Sequence, residues 1–256
     1  MIRERIMPCL LIEDGGLVKT IKFSNPRYIG DPINAIHIFN EKDVDEMIIV
    51  DIKATDKGCI DFDLLEELAS EAFMPLTYGG GIKTIEDIKR ILKSGFEKVV
   101  INYSFFENKN LIQEASALFG RQSISVGIDV KKNLFGKYKV FRLNGKEKTG
   151  LDPVNVAIMA QELGAGEIFL NNIDKDGTMS GYDINLVNKI ANAVEIPVVA
   201  CGGAGNIKDI AELFNKTKVS GAAVGSLFIY FGKQKAVLIN VPSEEEFRKV
   251  GLYNGI

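Results

Sequence analysis

The apolar residues of this chain fall into short, nearly continuous runs. IMPCLLI (6–12), MIIVDI (47–52), MPLTYGG (74–80), KVVINY (98–103), SISVGIDV (123–130), EIFLNNI (167–173), IPVVACGG (196–203) and GAAVGSL (221–227) are rich in Val, Ile and Leu and do not alternate with polar residues. A strand covered on both faces has this pattern, whereas a half-exposed strand alternates. Between the runs the period becomes helical. In TIEDIKRILKSG (84–95), Ile85, Ile88 and Leu92 share one face, Thr84 is placed to cap the start and Gly95 to end the helix. DINLVNKIANAVEIP (183–197) follows the same logic, with Asp183 as cap and Pro197 past the end. Eight strands alternating with helices predict an α/β fold, a single (β/α)8 TIM barrel over residues 1–256.

The chain also nearly repeats itself. LTYGGGIKTIEDI (76–88) returns as VVACGGAGNIKDI (198–210). Gly80 and Gly81 recur as Gly202 and Gly203, Pro75 as Pro197, and Ser104 as Ser226, each 122 positions on. Glu46 recurs as Glu167, 121 positions on. Landmarks at so constant an offset predict two similar half-barrels, roughly 1–122 and 123–256.

Composition narrows the chemistry. The net charge of −3 gives no footprint for nucleic acid or an anionic membrane. No apolar run is long enough to span a bilayer, and MIRERIMPCLLIEDG does not read as a signal peptide, so a cytoplasmic setting is expected. The three cysteines, Cys9, Cys59 and Cys201, form neither a disulfide framework nor a metal spacing. With His37 as the single histidine, no metal site and no cofactor is expected. Cys9 and Cys201 read as packed strand residues and His37 as a partly buried helix residue.

In such barrels chemistry sits where strands end. Glycine lets a phosphate approach the backbone, and free N–H groups there supply donors. One phosphate grip is expected from Gly80, Gly81, Asn102 and Ser104. A second is expected from Gly202, Gly203, Gly225 and Ser226, with Asp176 and Gly177 nearby. Two opposed grips suggest a small-molecule ligand with a phosphate at each end. Residues 13–31 read as a long loop carrying Lys19, a candidate lid, and NLFGKYKVFRLNG (133–145) as a small hairpin.

The motifs EDGGLVKT (13–20), GDP (30–32), GGGI (79–82), GIDVK (127–131), GAGEI (164–168), IDKDGT (173–178), SGYD (180–183) and CGGAGN (201–206) resemble the cyclase subunit of imidazole glycerol phosphate synthase. The resemblance runs from Arg5 to about Phe231. It implies a barrel that binds a substrate with two phosphates and receives ammonia from a separate glutaminase subunit. It also implies that Lys19 meets the substrate, and that Arg5, Glu46, Lys98 and Glu167 form an ammonia gate at the strand starts. Two catalytic aspartates are implied, on strands one and five. The second is present as Asp129, but at the first the family's Cys-Leu-Asp reads Cys9-Leu10-Leu11. The internal repeat agrees, because CLL at 9–11 aligns with GID at 127–129. Leucine cannot carry a proton, and a general acid or base typically contributes ~10²–10⁴-fold. Glu13 and Asp14 are expected to lie in the following turn, about 7 Å further along an extended chain.

Two further departures are Asn171-Asn172 after strand six and an extended GKQKAVLINVP (232–242) in place of a charged final helix; together PCLLIEDGGLVKT (8–20), IFLNNIDKDG (168–177) and GSLFIYFGKQKAVLI (225–239) resemble a paralogue group tied to glycosyl amidation in surface-polysaccharide clusters. That group implies an ATP-dependent amidating enzyme as a further partner. The expected function is therefore an ammonia-accepting subunit with weak or no cyclase activity. A true histidine-pathway cyclase, a phosphosugar isomerase and a non-catalytic scaffold for the glutaminase remain alternatives.

Overall fold

Eight parallel strands close on themselves in the computed structural model, which describes residues 4–42, 44–232 and 234–253. They are β1 (Arg5–Glu13), β2 (Met47–Asp51), β3 (Leu76–Gly79), β4 (Lys98–Ile101), β5 (Ile124–Lys132), β6 (Glu167–Asn172), β7 (Val198–Cys201) and β8 (Gly221–Val224). Each pairs in parallel with its neighbours in chain order, and β8 returns to β1 through Arg5 opposite Gly221 and Pro8 opposite Val224. This is the (β/α)8 barrel the runs predicted. The runs extend past several strands because the glycines at 80, 81, 202 and 203 turn the backbone out of the ladder.

Alternation along each strand makes two cores. Met7, Cys9, Ile48, Val100, Phe169, Val199 and Ala223 point inward and fill the barrel. Ile6, Leu10, Ile49, Ile168 and Val198 point outward and pack under helix residues such as Ile36, Leu68, Ile88, Ile190 and Ile210. The helix signals hold. Thr84 and Asp87 form a reciprocal capping box on Ile85–Lys93, and Asp183 accepts from the Leu186 N–H at the start of Ile184–Ala191. Among the described residues, no helix is long and apolar enough to cross a membrane.

Four local expectations need correction. The stretch 13–31 is not a loop. Gly16–Ile21 runs antiparallel to β1, and Ser24–Gly30 runs antiparallel to Gly16–Ile21. Asp14 (φ 52°) and Gly15 (φ 77°) both take the left-handed conformation that a two-residue hairpin turn demands. Glu13 is consequently the last residue of β1 and lies on the same face as Leu11, not in the turn. His37 is exposed, with its Nε2 2.7 Å from Glu71 Oε2. After β8, Tyr230–Phe231 and Ala236–Val237 form a small hairpin whose Val237 and neighbouring Leu238 face solvent. A charged helix, Glu244–Lys249, follows it under a Ser243–Glu246 capping box, so the segment precedes a charged helix rather than replacing one. Lys233 lies outside the described residues. The 133–145 hairpin is present, with β5 as one arm and Tyr138–Arg142 as the other.

Candidate active site and the charged ring beneath it

The strand ends enclose a cavity of about 200 Å³. Asp129 and Leu11 both line it. Burial pushes the Asp129 carboxyl up to about 7; the hydrogen bond from Asn102 opposes this and the charge of Asp176 adds to it. A group poised there is part-protonated near neutrality and can give or take a proton. Leu11, on the opposite half of the barrel, can do neither. Glu13 also lines the cavity, one pleat above Leu11, but its carboxylate is paired with Lys53 at 3.1 Å. Asp51 ends β2 and lines the cavity too, where burial raises its pKa, but its Oδ1 accepts from the Lys53 and Ala54 N–H groups and so caps the next turn. The sequence motifs assign neither residue to the site. An acidic residue directly after a buried run, as in MIIVD, was the available signal.

Asn102, expected in the β3–β4 grip, is bonded to strand five. Its Nδ2 donates to Gly127 O at 3.0 Å and to Asp129 Oδ2 at 3.2 Å, which fixes the acid's orientation. Ser104 Oγ donates to Ile82 O at 2.5 Å, and the Gly81 N–H donates to Thr55 Oγ1 at 3.2 Å. The expected β3–β4 grip therefore has three of its donors already engaged.

The β7–β8 side differs. Lys19 is only 6% exposed, yet among the described residues its Nζ makes no hydrogen bond or ion pair. It lies against Gly225, where an added Cβ would sit 2.5 Å from Nζ. Gly202, Gly203 and Ser226 line the same part of the cavity. Asp176 secures the hairpin that carries Lys19, accepting from Thr20 Oγ1 at 2.7 Å and from the Phe23 N–H at 3.1 Å. An added Cβ on Gly177 would come within 2.1 Å of Thr20 O, so that glycine serves hairpin docking. Cys9 and Cys201 are packed strand residues, as expected, but they also line the cavity. A hydrogen bond from Cys201, helped by Lys19, lowers the Cys9 thiol against the effect of burial.

At the strand starts the four charges meet. Glu46 and Glu167 each bridge both cations. Arg5 lies 3.2 Å from Glu46 and 2.6 Å from Glu167, and Lys98 lies 3.3 Å and 3.0 Å from the same two carboxylates. Thr77 Oγ1 donates to Glu46 at 2.9 Å, and Ser220 Oγ accepts from Arg5 at 3.2 Å. Burial alone would lower the Arg5 pKa, but Glu167 and Glu46 together raise it. The ring closes the barrel's lower end, and the inward apolar layer separates it from the cavity. Among the described residues, no group of three or more His, Cys, Asp or Glu could hold a metal ion.

The chain is a closed (β/α)8 barrel with Asp129 at the mouth, where such barrels carry their chemistry, and a charged ring at its base. The model of the histidine biosynthesis protein family matches residues 5–235, and this chain belongs to that family. It is 50% identical over 251 residues to a Vibrio vulnificus protein provisionally named imidazole glycerol phosphate synthase subunit hisF3, covering 97% of this chain and 96% of that one. It is 49% identical over 243 residues to a protein provisionally named subunit hisF2 from Pseudomonas aeruginosa, covering 94% and 97%. To the imidazole glycerol phosphate synthase subunit HisF of Alkaliphilus metalliredigens it is 42% identical over 231 residues, covering 90% and 92%.

Proposed function

We propose that this chain is the ammonia-accepting subunit of a glutamine-dependent complex and that it closes no imidazole ring of its own. The observation that carries the reading is the ring in which Glu46 and Glu167 each bridge Arg5 and Lys98. A set of paired charges across the barrel axis blocks water and ions, and it can open only by exchanging ion pairs. Above it, ammonia would have to cross the apolar layer of Met7, Ile48, Val100, Phe169, Val199 and Ala223. Uncharged ammonia crosses such a layer at far lower cost than ammonium. A glutaminase docked on the strand-start face would feed this ring.

At the mouth, ring closure needs one group to donate a proton and another to accept it. Asp129 supplies one, and Leu11 stands where the other belongs. The ammonia is therefore passed on. The acceptor in this reading is a surface-polysaccharide sugar, amidated by an ATP-dependent enzyme, while a phosphorylated small molecule occupies the mouth.

Arg5→Ala tests the conduit. It should leave glutaminase docking largely intact and alter glutamine-dependent amidation more than ammonium-dependent amidation, assayed with the amidating enzyme present. Equal change with both nitrogen sources, or no binding to any glutaminase of the same genome, would refute it.

A further inference from the structure

The hairpin formed by β5 and Tyr138–Arg142 ends in two large apolar side chains with almost nothing against them. Leu134 is fully exposed and Phe135 is 87% exposed. The turn that carries them is tightly held. Asn133 Oδ1 accepts from the Phe135 and Lys137 N–H groups at 2.9 Å each, and the Asn133 N–H donates to Lys137 O at 2.9 Å. The hairpin is also fixed on both sides of the mouth. On one side the Tyr138 hydroxyl donates to Asp183 at 2.9 Å and the Lys132 N–H to Asp174 at 2.8 Å. On the other, Asn144 Nδ2 donates to Ile52 O at 2.6 Å and Lys146 pairs with Asp56 at 2.7 Å. Leu143, Asn144 and Lys146 line the cavity, and β5 climbs about 10 Å from Asp129 to Lys132. Leu134 and Phe135 therefore form a rigid knob standing over the mouth, and covering it costs little ordering entropy.

The charge around the knob is one-sided. Residues 131–148 hold seven cations and a single carboxylate, Glu147, in a chain of net charge −3. Lys132, Arg142 and Lys146 are neutralised by carboxylates. Among the described residues, Lys131, Lys137 and Lys148 are exposed and in no ion pair. An apolar knob rimmed by unpaired lysines fits a surface with an apolar pocket and an acidic rim. Across the mouth this hairpin meets the one after β1, since a Cβ added to Gly145 would lie 3.3 Å from the Phe23 ring. That second hairpin exposes Ile21 and Tyr28, and its segment balances Glu13, Asp14 and Asp31 against Lys19, Lys22 and Arg27. Apolar points on both hairpins, with excess positive charge on one only, favour a protein surface over an anionic bilayer.

Ammonia released from the mouth into water is protonated and diluted before it can react, so its consumer has to cover the exit. We propose that the Leu134–Phe135 knob is the docking point of the ammonia-consuming, ATP-dependent amidating enzyme, seated over the mouth through an apolar pocket rimmed by carboxylates. This rests on the reading that the barrel hands ammonia on, but docking is measured with no ammonia flowing.

The test titrates the intact chain with the ATP-dependent amidating enzyme of the same genome, without glutaminase or glutamine. Calorimetry should show binding that is about fivefold or more tighter at about 50 mM salt than at about 500 mM. Leu134→Asp with Phe135→Asp, its fold checked by a thermal melt, should weaken binding about tenfold or more. Phe73→Asp, which changes an equally exposed ring ahead of β3 at the strand-start end, should alter it less than about twofold. Lys131→Glu with Lys137→Glu, a second variant that leaves the knob in place, should weaken it about fivefold or more at the lower salt and match the parent at the higher. No binding, undiminished binding by either folded double variant, or an equal loss with Phe73→Asp overturns the proposal. Knob-dependent sedimentation with phosphatidylcholine–phosphatidylglycerol vesicles, in place of enzyme binding, overturns it too and makes the knob a membrane anchor. The Arg5→Ala assay reports the conduit separately. A failed conduit with knob-dependent docking overturns that earlier reading and leaves the docking standing, whereas a working conduit with knob-independent docking overturns this placement alone.

Discussion

Leu11 and Asp129 hold the same place on two strands of one barrel. Each lines the mouth, and each faces the second strand of an antiparallel hairpin, Leu11 opposite Val18 and Asp129 opposite Phe141. One can exchange a proton and the other cannot. Leu11→Asp is therefore the substitution that should create cyclase chemistry. With excess ammonium and the histidine-pathway bisphosphate substrate, the unaltered chain should form little imidazole glycerol phosphate. The variant should raise kcat by about tenfold or more, while KM stays high. An unchanged kcat in a folded variant would show that the missing acid is not what limits ring closure.

The raised pKa of Asp129 has a cost in stability. The folded chain keeps that carboxyl protonated up to about 7, whereas the unfolded chain ionises it near an ordinary carboxylate's pKa of about 4. Between those values the folded state binds the extra proton, so this group's contribution falls as pH rises through the window and is fully lost above it. Asp129→Asn removes the penalty. The variant should be more stable than the parent by about 1–3 kcal/mol at pH 8, and the advantage should vanish near pH 4. Chemical denaturation at the two pH values checks this; an equal difference at both would contradict it.

The ring at the base should respond differently from an ordinary surface pair. Removing Arg5 leaves two carboxylates, 12% and 9% exposed, facing Lys98 alone. Breaking a fully buried set costs about 3–5 kcal/mol, and the 29% exposure of Arg5 reduces the expected loss to about 1–3 kcal/mol. Glu71→Ala, which breaks the exposed pair with His37, should cost less than about 1 kcal/mol. Urea unfolding of the two variants side by side distinguishes a structural ring from rim charges.

Glycine substitutions separate binding from folding. A Cβ on Gly203 would sit 2.3 Å from the Gly181 carbonyl oxygen, at a φ of 120°, so Gly203→Ala should cost about 2 kcal/mol or more of stability. At Gly225 the close neighbour is the far end of the Lys19 side chain, and φ is −101°. Gly225→Ala should therefore cost less than about 1 kcal/mol while weakening phosphate binding severalfold. Melting curves with and without phosphate give both quantities, and the reverse order would contradict the placement of Lys19.

The barrel was legible because continuous Val/Ile/Leu runs have few other uses in a chain of this length, and Thr84 and Asp183 announced their helices through local hydrogen bonds. The ring was legible as four charges at strand starts, although only closure of the barrel could show each carboxylate reaching both cations. The Asp14–Gly15 hairpin signal is in the sequence but does not stand out among the other glycines of 13–31. A loop in place of that hairpin makes a buried Lys19 look like a lid residue and takes Glu13 off the cavity wall. The inequality of the two grips was not readable. GGG and CGG look alike in sequence, whereas the engagement of Ser104 with Ile82 and of Gly81 with Thr55 depends on long-range contacts.

The most direct test of the account follows two products in one reaction. The chain, a glutaminase from the same genome, glutamine and the histidine-pathway bisphosphate substrate are combined, and glutamate and imidazole glycerol phosphate are measured together. An ammonia-accepting barrel that cannot close the ring should let glutamate accumulate while the imidazole product falls short of it by about 100-fold or more. Equal amounts of the two would show a working cyclase and contradict the account.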